Sequence, residues 1–304
     1  MLFLSIYMQR YISLTLGSVL SVLVLLACER NNNHLPDEKE EGSAFIAKVF
    51  AYCPAPGQFV NVIPSCTQGE GQATVLERAG QMLVGSTNSG MVSLGAWGGY
   101  VVVGFDHAVR NLPDAADFKI YGNAYHNNSE AGIVMVAHDD NGNGLPDDTW
   151  YELKGSAYDA ATTLHHYRCV YYRPDSLTAD VLWRDNRGDS GYVYRNEYHL
   201  QPYYPLWETT DSLVFEGSRL ESNAYNDGGI YYNPGFAWGY ADNAPNDSDG
   251  SLFDIAWAVD AEGRPHILEA IHFVKVYTAQ QQYLGWIGET STEICGMEDL
   301  HFEK

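Results

Sequence analysis

Residues 139–148 read Asp-Asp-Asn-Gly-Asn-Gly-Leu-Pro-Asp-Asp. Side-chain oxygens recur at Asp139, Asn141, Asn143 and Asp147, the first, third, fifth and ninth positions of a calcium loop. Gly144 falls at the sixth, where such a loop turns sharply, and the Leu145 carbonyl at the seventh. Calcium takes about six to eight hard oxygens, so alternate residues of a tight loop can converge on one ion. The twelfth position is Trp150 instead of a bidentate Glu, which leaves Asp148 or Glu152 to complete the shell. Two Asn in place of Asp lower the charge, which suits weak binding from an extracellular pool and a structural role for the ion. The plainer alternative is a long hairpin turn, because Asn-Gly between two strands is a turn signal by itself.

The loop resembles the shorter calcium repeats of dockerins and thrombospondins more than an EF-hand. A second acidic stretch, residues 242–250 (DNAPNDSDG) with Asp254 nearby, fits no metal loop and reads as a solvated loop. Catalytic patterns are thin. No G-x-S-x-G elbow, phosphate loop or dinucleotide fingerprint is present, and His165-His166 lacks a metal-spaced partner and reads as strand decoration. A glycosidase carboxylate pair is set by separation in space, so Glu130, Glu152, Glu197 and Glu269 are candidates only in that general sense. Cys53, Cys66, Cys169 and Cys295 have no CxxC or zinc spacing. Cys53 and Cys66 flank a proline-rich loop that a disulfide would staple, with buried free thiols as the alternative.

Aromatic residues suggest a binding face. Trp183, Trp207, Trp238 and Trp286, with Tyr232 and Tyr240, lie in or beside expected loops, as do Tyr203, Tyr204 and Tyr231. Exposed rings stack on sugar faces or flat macrocycles at little entropic cost, whereas the alternative for any single ring is that it packs beneath a long loop as core. Trp97, Trp150 and Trp257 sit in strand patterns and are assigned to the core.

These residues need a frame, and the sequence supplies a β one. Apolar residues in 73–84 recur at spacings of one, three and four (Val75, Leu76, Ala79, Met82, Leu83), which predicts one short helix. Strand-like runs then follow at 99–105, 117–121, 132–137, 149–153, 166–172, 190–194, 213–216, 253–259 and 271–277, after an edge strand at 45–52. No helices alternate with them, so the expected fold is an all-β, jelly-roll-like β-sandwich with long loops and one short N-terminal helix. The weak polar stretch between Asp175 and Asp189 is the one place where the chain could divide. A single domain over 44–304 is favoured.

The chain carries 17 Lys+Arg against 39 Asp+Glu, a net charge of −22 over 304 residues. That excludes non-specific nucleic-acid binding, which needs a basic footprint. An apolar run, 11–27, is followed by Cys28. It is short for a bilayer span, which takes about 20 residues, but suits a secretory signal. Leu25-Leu26-Ala27-Cys28 resembles the bacterial lipobox, in which the Cys thiol is acylated and becomes the mature N-terminus. The expectation is a signal peptide over 1–27, lipidation (diacylglycerol and palmitate-type chains) at Cys28 and a flexible polar tether over 28–43. An uncleaved anchor with an incidental cysteine is the alternative. Cleavage would remove one cation and no acid, taking the charge from −22 to −23. So acidic a surface avoids anionic lipid, and the acyl chains would do the anchoring.

Several segments in order, CPAPGQFVN (53–61), VSLGAWGGYVVVGFDHAV (92–109), DFKIYGNAY (117–125), DDNGNGLPDDTWYELKGS (139–156), GYADN (239–243), FDIAWAVD (253–260) and GWIGETSTEICGMEDLHF (285–302), resemble a family of Bacteroidetes cell-surface lipoproteins. The run from 93 to 125 is also similar to galactose-binding-like jelly rolls. The resemblance implies an outer-membrane, surface-exposed protein that captures a nutrient, a glycan or a corrinoid, beside a TonB-dependent outer-membrane transporter. It carries over no ligand residues. The rival classes are a calcium-stabilised secreted glycan hydrolase and a structural or adhesive surface protein. The lipobox reading has a direct check: labelled palmitate should enter the wild-type chain and fall to background in Cys28→Ser, whereas equal labelling would refute it.

Overall fold

A computed structural model describes residues 42–303. The expected signal peptide, Cys28 and nearly all of the tether lie outside the described residues. The helix forms where the apolar stripe demands it. α1 (Gln72–Leu83) buries Val75, Ala79 and Leu83 and leaves Glu77 and Gln81 in solvent.

Among the described residues the strands begin with β1 (Lys48–Cys53), β2 (Val92–Ser93), β3 (Tyr100–Arg110), β4 (Phe118–Tyr121), β5 (Gly132–Ala137) and β6 (Tyr151–Leu153). Next come β7 (Leu164–Tyr172), β8 (Val181–Asp185), β9 (Ser190–Val193), β10 (Ser212–Arg219), β11 (Tyr225–Asp227) and β12 (Ile230–Tyr232). The last are β13 (Leu252–Phe253), β14 (Ala258–Val259), β15 (Ala270–Thr278), β16 (Glu293–Ile294) and β17 (Gly296–Asp299). They form an all-β, sandwich-like fold built on a six-stranded sheet in the order β1-β3-β15-β5-β6-β14, every pair antiparallel. β1 is an edge strand, as expected.

Alternation of side chains divides this sheet into two faces. Val101 and Val103 (β3), Val134 and Val136 (β5), Leu153 (β6), and Val274 and Val276 (β15) enter one apolar core. They share it with α1 and with Phe118, Ile120, Phe253 and Met297 of a three-stranded sheet, β13-β4-β17. The intervening residues point the other way. Tyr100, Ile133, Met135 and Tyr277 belong to two further clusters, one of them continuous with Trp97, Tyr167, Tyr171 and Phe215. The last three come from a four-stranded sheet, β10-β7-β8-β9. The central sheet is thus covered on both faces.

One expectation changes, and two alternatives left open by the sequence are decided. The run 253–259 is not one strand: Asp254 accepts the Ala256 N–H at 2.7 Å and caps a single turn, so β13 pairs with β4 while β14 pairs with β6. The polar stretch 175–189 is no boundary, because it contains β8, whose Val181 is buried between β7 and β9. All four described cysteines are free thiols, so the Cys53–Cys66 staple is not formed. No helix among the described residues is long and apolar enough to cross a membrane.

Candidate functional site

A cavity of about 550 Å³ lies between the central and four-stranded sheets. Met135, Glu152, Lys275 and Tyr277 line it from the central sheet; His165, His166, Arg168, Glu216 and Ser218 line it from β7 and β10. Alternation explains the first group. Each flanks a core residue (Val134 and Val136, Leu153, Val274 and Val276), so each must face the opposite side.

A β-bulge explains His165, His166 and Ser218 of the second group, while Arg168 and Glu216 pair in regular register. Gly217 stands opposite Tyr167 and Arg219 opposite Leu164, which leaves His165 and His166 facing Ser218 alone. His166 takes a φ of 55°, and the phase of the strand changes there. Ser218, which simple alternation from buried Phe215 would turn outward, is instead buried against Glu152. Gly217 makes room for this: a Cβ there would come 2.8 Å from Tyr277 Oη. The Ser218 N–H donates to that hydroxyl at 2.9 Å, and the Trp97 indole N–H donates to the Ser218 carbonyl at 3.2 Å.

The result is a hydrogen-bonded chain. Ser218 Oγ donates to Glu152 Oε2 at 2.8 Å, and His165 Nδ1 lies 3.1 Å from the same Oγ. His165 Nε2 is 3.2 Å from the Tyr158 carbonyl. Two proton arrangements satisfy the chain: ionised Glu152 with a cationic imidazole, or neutral Glu152 donating to Ser218, which then donates to a neutral imidazole. Burial pushes Glu152 up to about 7 against the opposing pull of the Ser218 hydroxyl. Lys275, its ammonium 4.4 Å above the Tyr100 ring, is lowered by burial, while nearby Cys53 acts in the opposite sense. Arg168 pairs with Glu216 at 3.0 Å, both largely exposed. Rings and hydrogen-bonding groups thus share one cleft, which can present both to a hydroxyl-rich molecule.

A second cluster joins Glu130, Asp242 and Glu293, whose ligand atoms lie within 4.8 Å of one another. Asp242 corrects the solvated-loop reading of residues 242–250: it is buried, at a φ of 50°. Its Oδ1 accepts the N–H groups of Asn123 and Ala124, each at 2.8 Å, and its Oδ2 accepts that of Glu293 at 2.9 Å. Gly122 is required beside it, since a Cβ would collide with Oδ1. Burial first, then the charge of Glu293, pushes Asp242 up to about 8, and Glu130 rises for the same two reasons. Three hard-oxygen donors so close either keep protons or hold a cation.

The loop 139–148 is surface-exposed, and its side chains converge. Asp139 accepts the Asn143 and Gly144 N–H groups at 3.1 and 2.8 Å, and the Asn141 and Asn143 amides each reach Asp147 within 3.2 Å. Asn143 Oδ1 accepts the Leu145 N–H at 2.7 Å. Burial raises Asp139, but the loop N–H groups outweigh it and hold the carboxyl below its usual value. One oxygen of Asp148 is enclosed without a partner. As it stands, both amide oxygens accept backbone N–H groups, Asn141 Oδ1 from Asn143 and Asn143 Oδ1 from Leu145, so the turn is closed by its own hydrogen bonds.

The six candidate aromatic residues do not form one face. Trp207 (8% exposed) and Tyr240 (2%) are core residues, which corrects their assignment to a ligand surface. Trp207 packs 6.0 Å from Tyr52, and Tyr240 Oη accepts the Ala157 N–H. Tyr203 and Tyr204 are likewise buried. Trp238 lies against Trp257 at 4.9 Å, Tyr232 stacks on Tyr225 at 5.0 Å, and Trp286 stands exposed. Trp183 lines a smaller cavity of about 190 Å³ with Tyr192, Tyr194, Tyr283 and Glu289. Of the residues assigned to the core, Trp97 is fully buried and Trp257 packs on the core edge, whereas Trp150 lines the large cleft. Among the general carboxylate candidates, Glu152 and Glu130 reach clusters, and Glu197 and Glu269 are exposed. His165 and Ser218 were hidden in sequence because a bulge pairs residues 53 positions apart.

No family model matches the chain, and neither does any curated protein.

Glu152, Asp242 and Glu289 are raised to about 7, 8 and 8, burial being the largest cause in each case. Such acids bind more protons in the folded than in the unfolded chain. Their contribution is full below the ordinary carboxylate range and is lost as pH rises through 7 and 8. His272, held low by burial and by His138, works the other way. Three acids against one imidazole set the sign: the urea midpoint should fall between about pH 5.5 and about pH 8.5, less steeply in Glu152→Gln. A midpoint that rises over that window contradicts the assignment.

Proposed function

We propose that the protein is a non-enzymatic binding protein, lipid-anchored through Cys28 at the outer-membrane surface, whose inter-sheet cleft captures a glycan-like nutrient beside a TonB-dependent transporter. The observation that carries this reading is the cleft itself. Its volume of about 550 Å³ falls in the usual range for small-ligand sites, about 300–1,000 Å³. Its walls alternate rings (Trp150, Tyr158, Tyr277) with polar groups (Glu152, Asn186, Lys275), the mixture that a sugar's apolar faces and hydroxyl rim require. The lipobox and the resemblance to surface lipoproteins support the location and the transporter. A glycan is favoured over a flat corrinoid because Trp207 and Tyr240 are buried and the remaining loop rings are scattered.

Titration of the full chain in non-ionic detergent with glycans and corrinoids tests the reading. Saturable glycan binding, weakened at least about tenfold by Trp150→Ala or Glu152→Gln, is expected, equivalent to about 1.4 kcal/mol. Absence of glycan binding, or binding indifferent to both variants, would refute it. Binding of a partner protein alone would favour the adhesive class.

One observation favours a second reading, a glycan hydrolase. Glu152, poised near neutrality and linked through Ser218 to His165, has the form of a general acid–base group. Turnover of a polysaccharide that Glu152→Gln abolishes while binding persists would select it.

Calcium at Asp139, Asn141, Asn143, Leu145 and Asp147 is the structural companion of either reading, since this loop leads directly into Trp150 and Glu152. EDTA should lower the melting temperature, and Asp139→Ala should remove that effect. Identical melting with and without chelator identifies a bare turn. An EDTA effect that survives in Asp139→Ala assigns the ion instead to Glu130, Asp242 and Glu293.

A further inference from the structure

The smaller cavity is separate from the cleft and is built differently. Trp183 of β8 and Tyr192 of β9 come from one hairpin, with Tyr194 just beyond it, while Tyr283 and Glu289 belong to the segment after β15. Gly191, opposite Trp183 in the hairpin, lets the indole lie across the strand: a Cβ there would come 2.8 Å from the ring. Tyr194 sits 5.9 Å from Tyr192 and 5.3 Å from Tyr283, ring centre to ring centre. The three phenol rings remain between 43% and 47% exposed, although together they wall a cavity of about 190 Å³. Trp183 packs against the core cluster, but three phenol rings left half in water around one hollow are not serving the core.

The same cavity reaches Glu289, which is 3% exposed. Its Oε1 accepts the Gln58 N–H at 2.7 Å, but its Oε2 is enclosed with no partner. No ion pair among the described residues involves it. A buried carboxylate with one oxygen unmatched is costly unless something supplies a donor or a positive charge. Left alone, it is pushed by burial up to about 8, and a cation beside it would hold it ionised. Ring faces carry a negative quadrupole and attract cations, most strongly where water is excluded. The net charge of −22 draws positive ligands towards the whole surface.

We propose that the cavity bounded by Trp183, Tyr192, Tyr194, Tyr283 and Glu289 is a binding site for the ammonium group of a small organic cation. The rings cover the alkyl shell of the cation, and the Glu289 carboxyl bordering the cavity neutralises its charge. Its size suits a headgroup and not an extended chain, so a larger ligand would enter by its amine end. The site does not depend on the glycan reading of the cleft.

Choline, tetramethylammonium and the uncharged isostere 3,3-dimethylbutanol are suitable probes on the full chain in non-ionic detergent. Tryptophan and tyrosine fluorescence and calorimetry supply the readouts. Saturable binding of both cations is expected, with the neutral isostere at least about tenfold weaker. Glu289→Gln and Tyr194→Leu should each weaken cation binding about tenfold or more, while Trp150→Ala in the cleft should leave it unchanged. Equal affinity for choline and its neutral isostere would overturn the proposal using the wild-type protein alone, so a variant that fails to fold does not rescue it. Absence of saturable binding by either cation overturns it as well.

Discussion

The structure depends on one sheet being buried on both sides. Strands β3, β15, β5 and β6 cannot expose either face, because the first is closed by the β13-β4-β17 layer with α1 and the second by the four-stranded sheet. In an antiparallel strand, successive side chains go to opposite faces without exception unless a bulge intervenes. The valines at 134, 136, 274 and 276 therefore commit Met135, Lys275 and Tyr277 to the other side, and Leu153 does the same for Glu152. A slip of one residue in register would place Lys275 in the apolar core. The core pattern and the position of the polar cleft are two results of the same alternation.

Burial on that second face is incomplete, and the remainder is chemical. Tyr100, Tyr167, Tyr171 and Phe215 close one end of the contact between the sheets, while the other end holds the cleft. The bulge at His165-His166 turns Ser218 inward and creates the chain from Glu152 to His165. Enclosure raises Glu152, and related enclosures raise Asp242 and Glu289. Acids in these positions are sites where stability has been given up, because each would be easier to bury as an uncharged residue. Asp242 gives back three backbone hydrogen bonds that tie 123–124 to β16. Glu289 returns only one through its side chain, which is why its free oxygen points to a ligand.

Much of the fold was legible in the sequence. The helix at 72–83 and the strands around 100, 132, 166 and 271 follow from apolar periodicity, which depends only on near neighbours. The convergent turn at 139–148 was legible for the same reason: its oxygen-bearing side chains are alternate residues of one turn. The failures share a different cause. β8 was missed because its half-buried Trp183 and exposed Arg184 neighbour a polar turn, and only pairing with β7 and β9 makes it a strand. The run at 253–259 broke because each half found a different sheet.

By itself the sequence determined the class of fold, the acidic exterior, the polar segment before the domain and the oxygen-bearing turn, all features of composition or local spacing. Tertiary structure alone decided which carboxylates matter and which rings are available. Glu130, Asp242 and Glu293 meet across more than 160 residues of chain, and Glu152 meets Ser218 across 66. Trp207 and Tyr240 look like loop residues in sequence, yet long loops fold back and cover them. Exposure and proximity are properties of the packed whole, and no local pattern encodes them.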